Sequence, residues 1–159
     1  MICNIINAST KNSLVLFHHR EYGKDIYNRL REISDNKLVY YVDGNVDTDL
    51  REFYKAKMEN NHNVILIASY GTFSTGISVK NIHNIFFVES FKSEVIIRQS
   101  IGRGLRKHST KDMLVIIDFV DNFNHDNWTC YHMRHSKVRK DIYKDQKFPY
   151  EVKKLNFTT

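Results

Sequence analysis

Five short apolar runs constrain the fold of this chain more than any other feature of its sequence. They are continuous rather than alternating and are rich in Val, Ile, Phe and Tyr: "LVLFH" (14–18), "LVYYV" (38–42), "VILIA" (64–68), "IFFVE" (85–89) and "LVIIDF" (114–119). Such runs are typical of strands that are covered on both faces, as strands in parallel sheets are. The runs therefore predict a mainly parallel sheet flanked by helices.

Helical patterns lie between the first three runs. Apolar residues recur at spacings of three and four in two segments, which contain Tyr22, Ile26, Leu30 and Ile33 and then Leu50, Phe53, Tyr54 and Met58. Before the second segment, "DGNVDTD" supplies a turn at Asp43-Gly44 and acids where a helix begins. This alternation of strand and helix predicts a wound α/β domain.

The end of the chain predicts one more helix and an extended segment. From Asn127 onward a stripe at helical spacing is formed by Trp128, Tyr131, His135, Val138 and Ile142. The segment "FPYEVKKLNF" (148–157) alternates loosely, and we expect it to pack on the domain. A chain of 159 residues with 42% hydrophobic residues is the size of one domain. We therefore assign 1–125 to the main α/β unit and 126–159 to a C-terminal extension of the same domain.

Neither a leader nor a membrane span is indicated. No run approaches the roughly 18 apolar residues that cross a bilayer, and the start "MICNIINASTKNS" lacks the charged and apolar regions of a signal peptide. Cys3 and Cys130 are far apart and form no CxxC pair, which gives no support for a disulfide framework. We expect a cytoplasmic protein, in the host cytoplasm if the source is viral, with no membrane partner.

The net charge of +6 and the pI near 9.3 favour an anionic partner, such as nucleic acid or a phosphate ligand. A solvated basic surface is the alternative. The lysines Lys137, Lys140, Lys144, Lys153 and Lys154 show the same ambiguity, since they could line a DNA path or simply face water. Four glycines, Gly71, Gly76, Gly102 and Gly104, fall beside loops at the edge of the predicted sheet, where ligands bind in α/β proteins.

The stretch "QSIGRGLR" (99–106) places two arginines three residues apart. A guanidinium group is planar and permanently charged, so Arg103 and Arg106 one helical turn apart can clamp a phosphoryl group. A phosphate loop of the GxxxxGK[ST] type is absent from the sequence, because Gly23-Lys24 is followed by Asp25 and lacks the upstream glycine. No acidic Walker B cluster accompanies it. The chain therefore cannot hold Mg-ATP by itself in the usual way.

In this context "QSIGRGLR" resembles motif VI of the superfamily 2 helicases. "LVLFHHREYGKDIYNRL" resembles motif IV, "VYYVDGNVDTDLREFYKAKME" the strand, turn and helix after it, and "VILIASYGTFSTGISVKNIHNIFFVES" motif V. The order of these segments is that of the second RecA-like motor domain. Within the superfamily the chain is most similar to phage recombination and repair helicases, and the likeness extends to the tail "DIYKDQKFPYEVKKLNF".

The resemblance implies an α/β RecA-like three-layer domain and assigns a role to each motif VI residue. Arg103 and Arg106 would be arginine fingers that reach the γ-phosphate of ATP with Mg²⁺, which a first RecA-like domain outside this chain would hold, in cis or in trans. Gln99 would order the same cleft, and Gly76 and Gly102 would line it. The implied activity is that of an ATP-dependent DNA helicase in repair and recombination, with this chain as one half and inactive alone.

The resemblance also implies nucleic-acid contacts, with branched or single-stranded DNA and RNA–DNA hybrids at R-loops as partners. Residues at the ends of motifs IV and V would touch the backbone: His19, Arg20, Ser69, Gly71, Thr72, Ser74 and Thr75. His18 is equally compatible with packing at the strand end. Many relatives have an aspartate where this chain has Ser78, so that carboxylate contact has no counterpart here.

Two further alternatives follow from the sequence. His125, Cys130, His132 and His135 suggest a metal site, but the C-x-H-x-x-H spacing puts Cys130 and His132 on different helix faces, so we predict no metal. The second alternative concerns function: the chain could be a non-catalytic nucleic-acid-binding module that keeps the RecA-like fold. The retained Gln99, Arg103 and Arg106 favour the motor, since a simple binder has no need of phosphate fingers.

Overall fold

A computed structural model describes residues 1–123 and 129–155. Its centre is a five-stranded sheet, in which every strand pairs in parallel with its neighbours, in the order β2-β3-β1-β4-β5. The strands are β1 (Ser13–Phe17), β2 (Leu38–Val42), β3 (Val64–Ser69), β4 (Asn84–Phe87) and β5 (Val115–Asp118). The apolar runs of the sequence correctly predicted all five strands.

Helices cover both faces of this sheet. They are α1 (Ile2–Ala8), α2 (Arg20–Ile33), α3 (Thr48–Asn60), α4 (Tyr70–Gly76), α5 (Glu94–Gly104) and α6 (Tyr131–Asp145). Residues of α1 and α2 pack with one face of the strands, and residues of α3, α4, α5 and α6 pack with the other. The result is a three-layer α/β domain, as expected from the sequence.

The central strand β1 shows why continuous apolar runs form this sheet. Leu14 and Leu16 point into the cluster under α3 to α6, whereas Val15 and Phe17 point into the cluster under α1 and α2. Every residue of β1 is buried, so each position of the strand must be compatible with an interior. The outer strands β2 and β5 are only partly buried, because each has a neighbour on one side alone.

The helix predicted from Leu50, Phe53, Tyr54 and Met58 is present as α3, but only part of its apolar side is buried. In α3, Met58 is buried and Tyr54 packs against the core, but Leu50 and Phe53 are exposed. These residues lie near the edge strand β2, where Tyr40 stacks on Tyr54 at 4.5 Å between ring centroids and leaves the first turns of α3 uncovered.

The last helix differs more from the prediction. It begins at Tyr131, and Asn127 and Trp128 lie outside the described residues. Its buried side chains are Ser136, Arg139, Ile142 and Tyr143, while Tyr131 and Val138 are exposed. Of the stripe residues that the structure describes, only Ile142 is buried, because the inner face of α6 also carries Arg139 and Tyr143, which both contact Asp118 of β5.

The segment after α6 packs on the domain only at its start. Phe148 packs against the core cluster, and Tyr150 lies 6.3 Å from the ring of Tyr143. Val152 and Leu155 are exposed. The predicted packing of the segment therefore applies to Phe148 and Tyr150 and does not extend to Leu155.

Candidate functional site

Arg103 sits in the last turn of α5 and joins this helix to the end of α4. Its Nη1 donates to the carbonyl oxygen of Ile77 at 2.7 Å, and its Nη2 donates to that of Ser74 at 2.7 Å. The guanidinium carbon is 5.7 Å from the centre of the Phe73 ring. A helix end leaves its last carbonyl groups without partners, so Arg103 satisfies two of these acceptors and is held in a defined orientation by them.

Arg106 lies just beyond the end of α5 and contacts the same segment. Its side chain is exposed, and its Nη1 donates to the hydroxyl oxygen of Ser78. Both arginines thus contact residues 74–78, which lie within motif V. We use the name arginine rim for two parts of the chain: residues 74–78, and the exposed side of residues 99–106, which form the end of α5 and the turn after it. Among the described residues, neither Arg103 nor Arg106 has a carboxylate within ion-pair distance.

Gln99 and Gly102 lie on the exposed side of the same helix, so the structure brings both residues to the arginine rim. A Cβ atom added to Gly102 would meet no atom within 4 Å. Glycine in a helix is less favourable than alanine by about 1 kcal/mol, and at Gly102 no contact with the described part of the chain requires it. Gly76 is the last residue of α4, and in the sequence it falls between Ser74 and Ile77, whose carbonyl groups Arg103 contacts.

The end of α5 is fixed by a lysine from the following loop. Lys111 donates through Nζ to the carbonyl oxygens of Gly104 at 2.6 Å and Lys80 at 3.0 Å. Burial lowers the pKa of this amine. The contact ties the helix end to the loop before β4, which limits how far the arginine rim can move relative to the sheet.

The predicted nucleic-acid contacts after β1 have carboxylate partners inside the chain. Glu89, after β4, accepts from the backbone N–H groups of His18 and His19, and the distance from His19 is 2.9 Å. The Nδ1 atom of His19 is 2.7 Å from the other oxygen of Glu89. Arg20 pairs with Asp43 at 3.0 Å. A phosphate that binds these donors must therefore replace or share an internal carboxylate.

The hydroxyl groups of motif V are used mainly within α4. Ser69 caps the helix by accepting from the backbone N–H of Thr72 at 3.3 Å, and it donates to the Thr72 hydroxyl at 2.8 Å. Ser74 and Thr75 donate to the carbonyl oxygen of Gly71 at 3.0 Å and 2.8 Å. Thr72 is buried, whereas Gly71 is exposed and has open space around it.

Sequence reasoning missed Glu89 and the buried pair Arg139–Asp118. The position of Glu89 in the sequence indicates this contact. Glu89 follows β4 and "HHR" follows β1, and the two strands are parallel neighbours, so both segments lie at the same edge of the sheet. The Nε and Nη2 atoms of Arg139 donate to the two oxygens of Asp118, both at 2.8 Å. No local pattern indicates that pair, since its members are 21 residues apart.

Within residues 1–123 and 129–155, no group of three or more His, Cys, Asp or Glu is arranged to hold a metal ion. Of the cluster considered from the sequence, His125 lies outside the described residues. His132 contacts Asp121 at 3.1 Å and His135 contacts the hydroxyl of Ser90 at 2.8 Å. In the same part of the chain, no helix has the length and apolar character that a membrane crossing requires.

Comparison with known proteins agrees with this architecture. No protein-family model matches the chain. The chain is 38% identical over 159 residues to the ATP-dependent DNA helicase UvsW of Enterobacteria phage T4, and the match covers 92% of this chain and 31% of that protein. The crystal structure of T4 UvsW matches with a TM-score of 0.70 at 34% identity, over 91% of this chain and 32% of the solved one. The chain thus spans about a third of the relative's length.

A more distant structure supports the fold alone. The C-terminal domain of the DEAD-box protein Dbp5 matches with a TM-score of 0.62 at 12% identity, over 91% of this chain and 77% of that domain. The two matches share the parallel sheet and flanking helices described above. The chain therefore belongs to the superfamily 2 helicases, as a second RecA-like domain similar to part of UvsW.

Proposed function

We propose that this chain is the second motor domain of an ATP-dependent DNA helicase and supplies two arginine fingers to its nucleotide site. One observation carries the proposal: Arg103 and Arg106 reach the same rim and have only neutral oxygen acceptors among the described residues. Neutral acceptors orient a guanidinium group but leave its charge uncompensated. That charge remains available for an anion that comes from outside the chain.

The chemistry of phosphoryl transfer explains what the fingers would do. Negative charge spreads over the γ-phosphoryl oxygens in the transition state, and an arginine finger that stabilises it contributes about 10³ to 10⁵ in rate. Such a group must be oriented before the reaction begins. The two carbonyl contacts orient Arg103, and the exposed side chain of Arg106 has freedom to reach across a cleft.

The remaining parts of the nucleotide site would come from a first RecA-like domain, in cis or in trans. That domain would hold ATP and Mg²⁺, because this sequence has no phosphate loop. The open space at Gly102 suits its close approach to the arginine rim. Binding of ATP would close the cleft and hydrolysis would reopen it, so that the two lobes grip DNA in turn.

DNA would meet residues of motifs IV and V that follow β1 and β3, and two of these residues, Ser74 and Thr75, belong to the arginine rim. We propose that the backbone N–H of the exposed residue Gly71, the hydroxyls of Ser74 and Thr75, and the side chains of His19 and Arg20 bind its backbone. The internal carboxylates Glu89 and Asp43 would then exchange partners as DNA binds. We propose branched DNA and RNA–DNA hybrids as the substrates.

Reconstitution tests this proposal. The isolated chain should show no DNA-stimulated ATP hydrolysis, and addition of a first RecA-like domain that carries the phosphate loop should produce it. Arg103→Ala and Arg106→Ala should each lower the restored rate at least about 10³-fold, with DNA binding nearly unchanged. Arg29→Ala is the matched control, because Arg29 is an exposed arginine that pairs only with Glu32. Turnover by the isolated chain would refute the proposal.

One observation favours a second candidate, a nucleic-acid-binding module without motor activity. Arg103 closes the end of α4 through its two carbonyl contacts, so a non-catalytic descendant would also retain it for structural reasons. Under this alternative, Arg103→Ala lowers stability and DNA binding together, and no first domain restores hydrolysis. The reconstitution therefore separates the two candidates.

A further inference from the structure

The positive charge of the chain is concentrated near its C-terminus. Residues 129–155 contain eight Lys or Arg and three Asp or Glu, whereas residues 1–128 contain sixteen and fifteen. The main body of the domain is thus almost neutral, and nearly the whole net charge of +6 belongs to α6 and the segment after it. Such an asymmetry is typical of a surface that meets an anionic polymer.

Helix α6 presents part of this charge on a rigid support. Its inner face is buried through Arg139, Ile142 and Tyr143. Arg139 is neutralised by Asp118 and adds nothing to the surface charge. Because this face is buried, the backbone of α6 is held against the sheet, and the Cα atoms of its outward residues have fixed positions.

Three of the outward lysines form one row. Lys137, Lys140 and Lys144 recur at spacings of three and four, which places them on one side of α6 over about 10 Å of its length. Lys137 and Lys144 are exposed, and Lys140 is half-buried. We call these three residues the lysine stripe. Lys147 follows it just after the helix ends and is also exposed.

The lysine stripe differs from three basic residues on the other long helices, each of which has an acid within 4 Å. On α2, Lys24 lies 3.5 Å from Glu21 and Arg29 lies 3.1 Å from Glu32; on α3, Lys55 lies 2.9 Å from Glu52.

None of the three lysines of the stripe pairs with an acid in the part of the chain that the structure describes. Of the two acids on α6, Asp145 is held by Arg98 at 2.9 Å. Asp141 stands four residues from Lys137 without forming an ion pair with it. Like charges at spacings of three and four repel one another, and an external anion removes that cost.

The surroundings of the stripe indicate which anionic polymer it fits. Proteins that bind single strands combine basic grooves with exposed aromatic rings on which bases stack. The exposed aromatic residues on either side of the stripe already contact other side chains. Tyr131, more than a turn before it, has the guanidinium of Arg134 over its ring at 4.4 Å, and the ring of Tyr150, after it, lies 6.3 Å from that of Tyr143. Duplex DNA offers one phosphate charge per about 1.7 Å of axis and needs no stacking. A row of lysines alone fits the duplex.

We propose that the lysine stripe of α6 binds the phosphate backbone of double-stranded DNA, at a surface separate from the contacts of motifs IV and V. The inference relies on the proposed function only for the kind of polymer involved. A lysine row of this kind reads no sequence, so it would raise affinity uniformly and hold the duplex arm of a branched substrate against the motor domain.

The test uses two triple variants of the full chain that remove the same charge. Lys137→Ala/Lys140→Ala/Lys144→Ala removes the stripe, and Lys24→Ala/Arg29→Ala/Lys55→Ala removes three ion-paired residues of α2 and α3 as the control. Binding to a 30-base-pair duplex and to a 30-nucleotide single strand is followed by fluorescence anisotropy over a series of KCl concentrations. Circular dichroism establishes that both variants are folded.

The stripe variant should reduce the slope of log K against log [KCl] for the duplex by about 2 to 3, since each lost phosphate contact contributes about 0.9. The control should reduce it by less than 1, and Lys137→Arg/Lys140→Arg/Lys144→Arg should retain the wild-type slope. Equal losses in both alanine variants, an unchanged slope, or a larger loss on the single strand would overturn the proposal. These measurements involve no ATP, so their failure is distinct from a failure of the motor assignment.

Discussion

Arg139 and the pair Arg103 and Arg106 show two opposite uses of the same side chain. Arg139 is 0% exposed and forms a bidentate ion pair with Asp118, while its Nη1 donates to the carbonyl oxygen of Phe91 at 2.9 Å. At the arginine rim, the guanidinium groups have carbonyl and hydroxyl oxygens as partners and no carboxylate among the described residues.

The difference lies in where the counter-charge is found. Burial alone would lower the pKa of Arg139, but the hydrogen bonds and charge of Asp118 raise it overall, so the buried group stays charged and balanced. No carboxylate in residues 1–123 and 129–155 balances the charge of the rim in this way. We infer that Arg139, which is buried with an internal carboxylate, serves the fold, and that Arg103 and Arg106, which are held by neutral acceptors, serve a ligand.

The largest effect on stability should come from Arg139→Ala. The substitution leaves Asp118 largely buried without its cation, which typically costs about 3 to 5 kcal/mol of unfolding free energy. Arg103→Ala should cost only about 1 to 2 kcal/mol, because it exposes two carbonyl groups near the surface that water can reach. Urea unfolding followed by circular dichroism measures both values.

A double variant sharpens this result. Asp118→Leu combined with Arg139→Met removes both charges, and it should be more stable than Arg139→Ala because no unpaired carboxylate remains. If Arg139→Ala unfolds within about 1 kcal/mol of the wild type, the buried pair does not serve the fold in the way inferred, and the comparison with the rim fails.

The two regions were not equally predictable from the sequence. "QSIGRGLR" identified the rim because its residues are local and lie on one helix. The carbonyl partners at Ser74 and Ile77 could not be predicted, since backbone acceptors leave no trace in side-chain identity. Arg139 was missed altogether, because a charged residue between Val138 and Ile142 indicates burial only when its partner on β5 is known.

The strands were the most predictable part of the chain, because their prediction needs no knowledge of a distant partner. A strand buried on both faces must be apolar at nearly every position. The run "VILIA" therefore predicts β3 even when the adjacent strands are unknown. At the carboxyl ends of the strands, function and fold share the same polar residues. There Glu89 accepts from the backbone N–H groups of His18 and His19, although the resemblance assigned His19 to DNA, and the adjacency of β1 and β4 explains the contact.

Alanine substitutions at two glycines should also distinguish the interior from the rim, with smaller changes in stability than those of the arginine variants. A Cβ on Gly23 would lie 2.6 Å from the ring of Phe17, which is fully buried, so Gly23→Ala should destabilise the domain by about 1 to 3 kcal/mol. Gly102→Ala meets open space and should stabilise the chain by up to about 1 kcal/mol through helix propensity. Thermal unfolding of the two variants gives the comparison directly, and a destabilised Gly102→Ala would mean that the rim is packed rather than open.

The smallest effect concerns His135, which lies beside the buried pair. Burial, and then the positive charge of Arg139, lower the pKa of His135, whose Nδ1 contacts the hydroxyl of Ser90 at 2.8 Å. In the unfolded chain a histidine binds its proton near pH 6.5, so between that value and the lower folded pKa the unfolded state carries more protons. Stability should therefore fall as the pH falls from about 7.5 to about 5.

Burial lowers the pKa of His83 as well, so the wild-type loss combines both groups. His135→Gln should show a shallower loss over the same range, measured by urea unfolding at several pH values, and His83→Gln serves as the parallel variant. Arg139→Met should move the His135 titration in an NMR experiment to higher pH, because it removes a nearby positive charge. No rim arginine contributes to the shift of His135, so Arg103→Ala should leave its titration unchanged. If Arg139→Met and Arg103→Ala instead shift the titration of His135 equally, the two regions are electrostatically coupled. In that case the distinction between the balanced charge of Arg139 and the uncompensated charge of the rim fails.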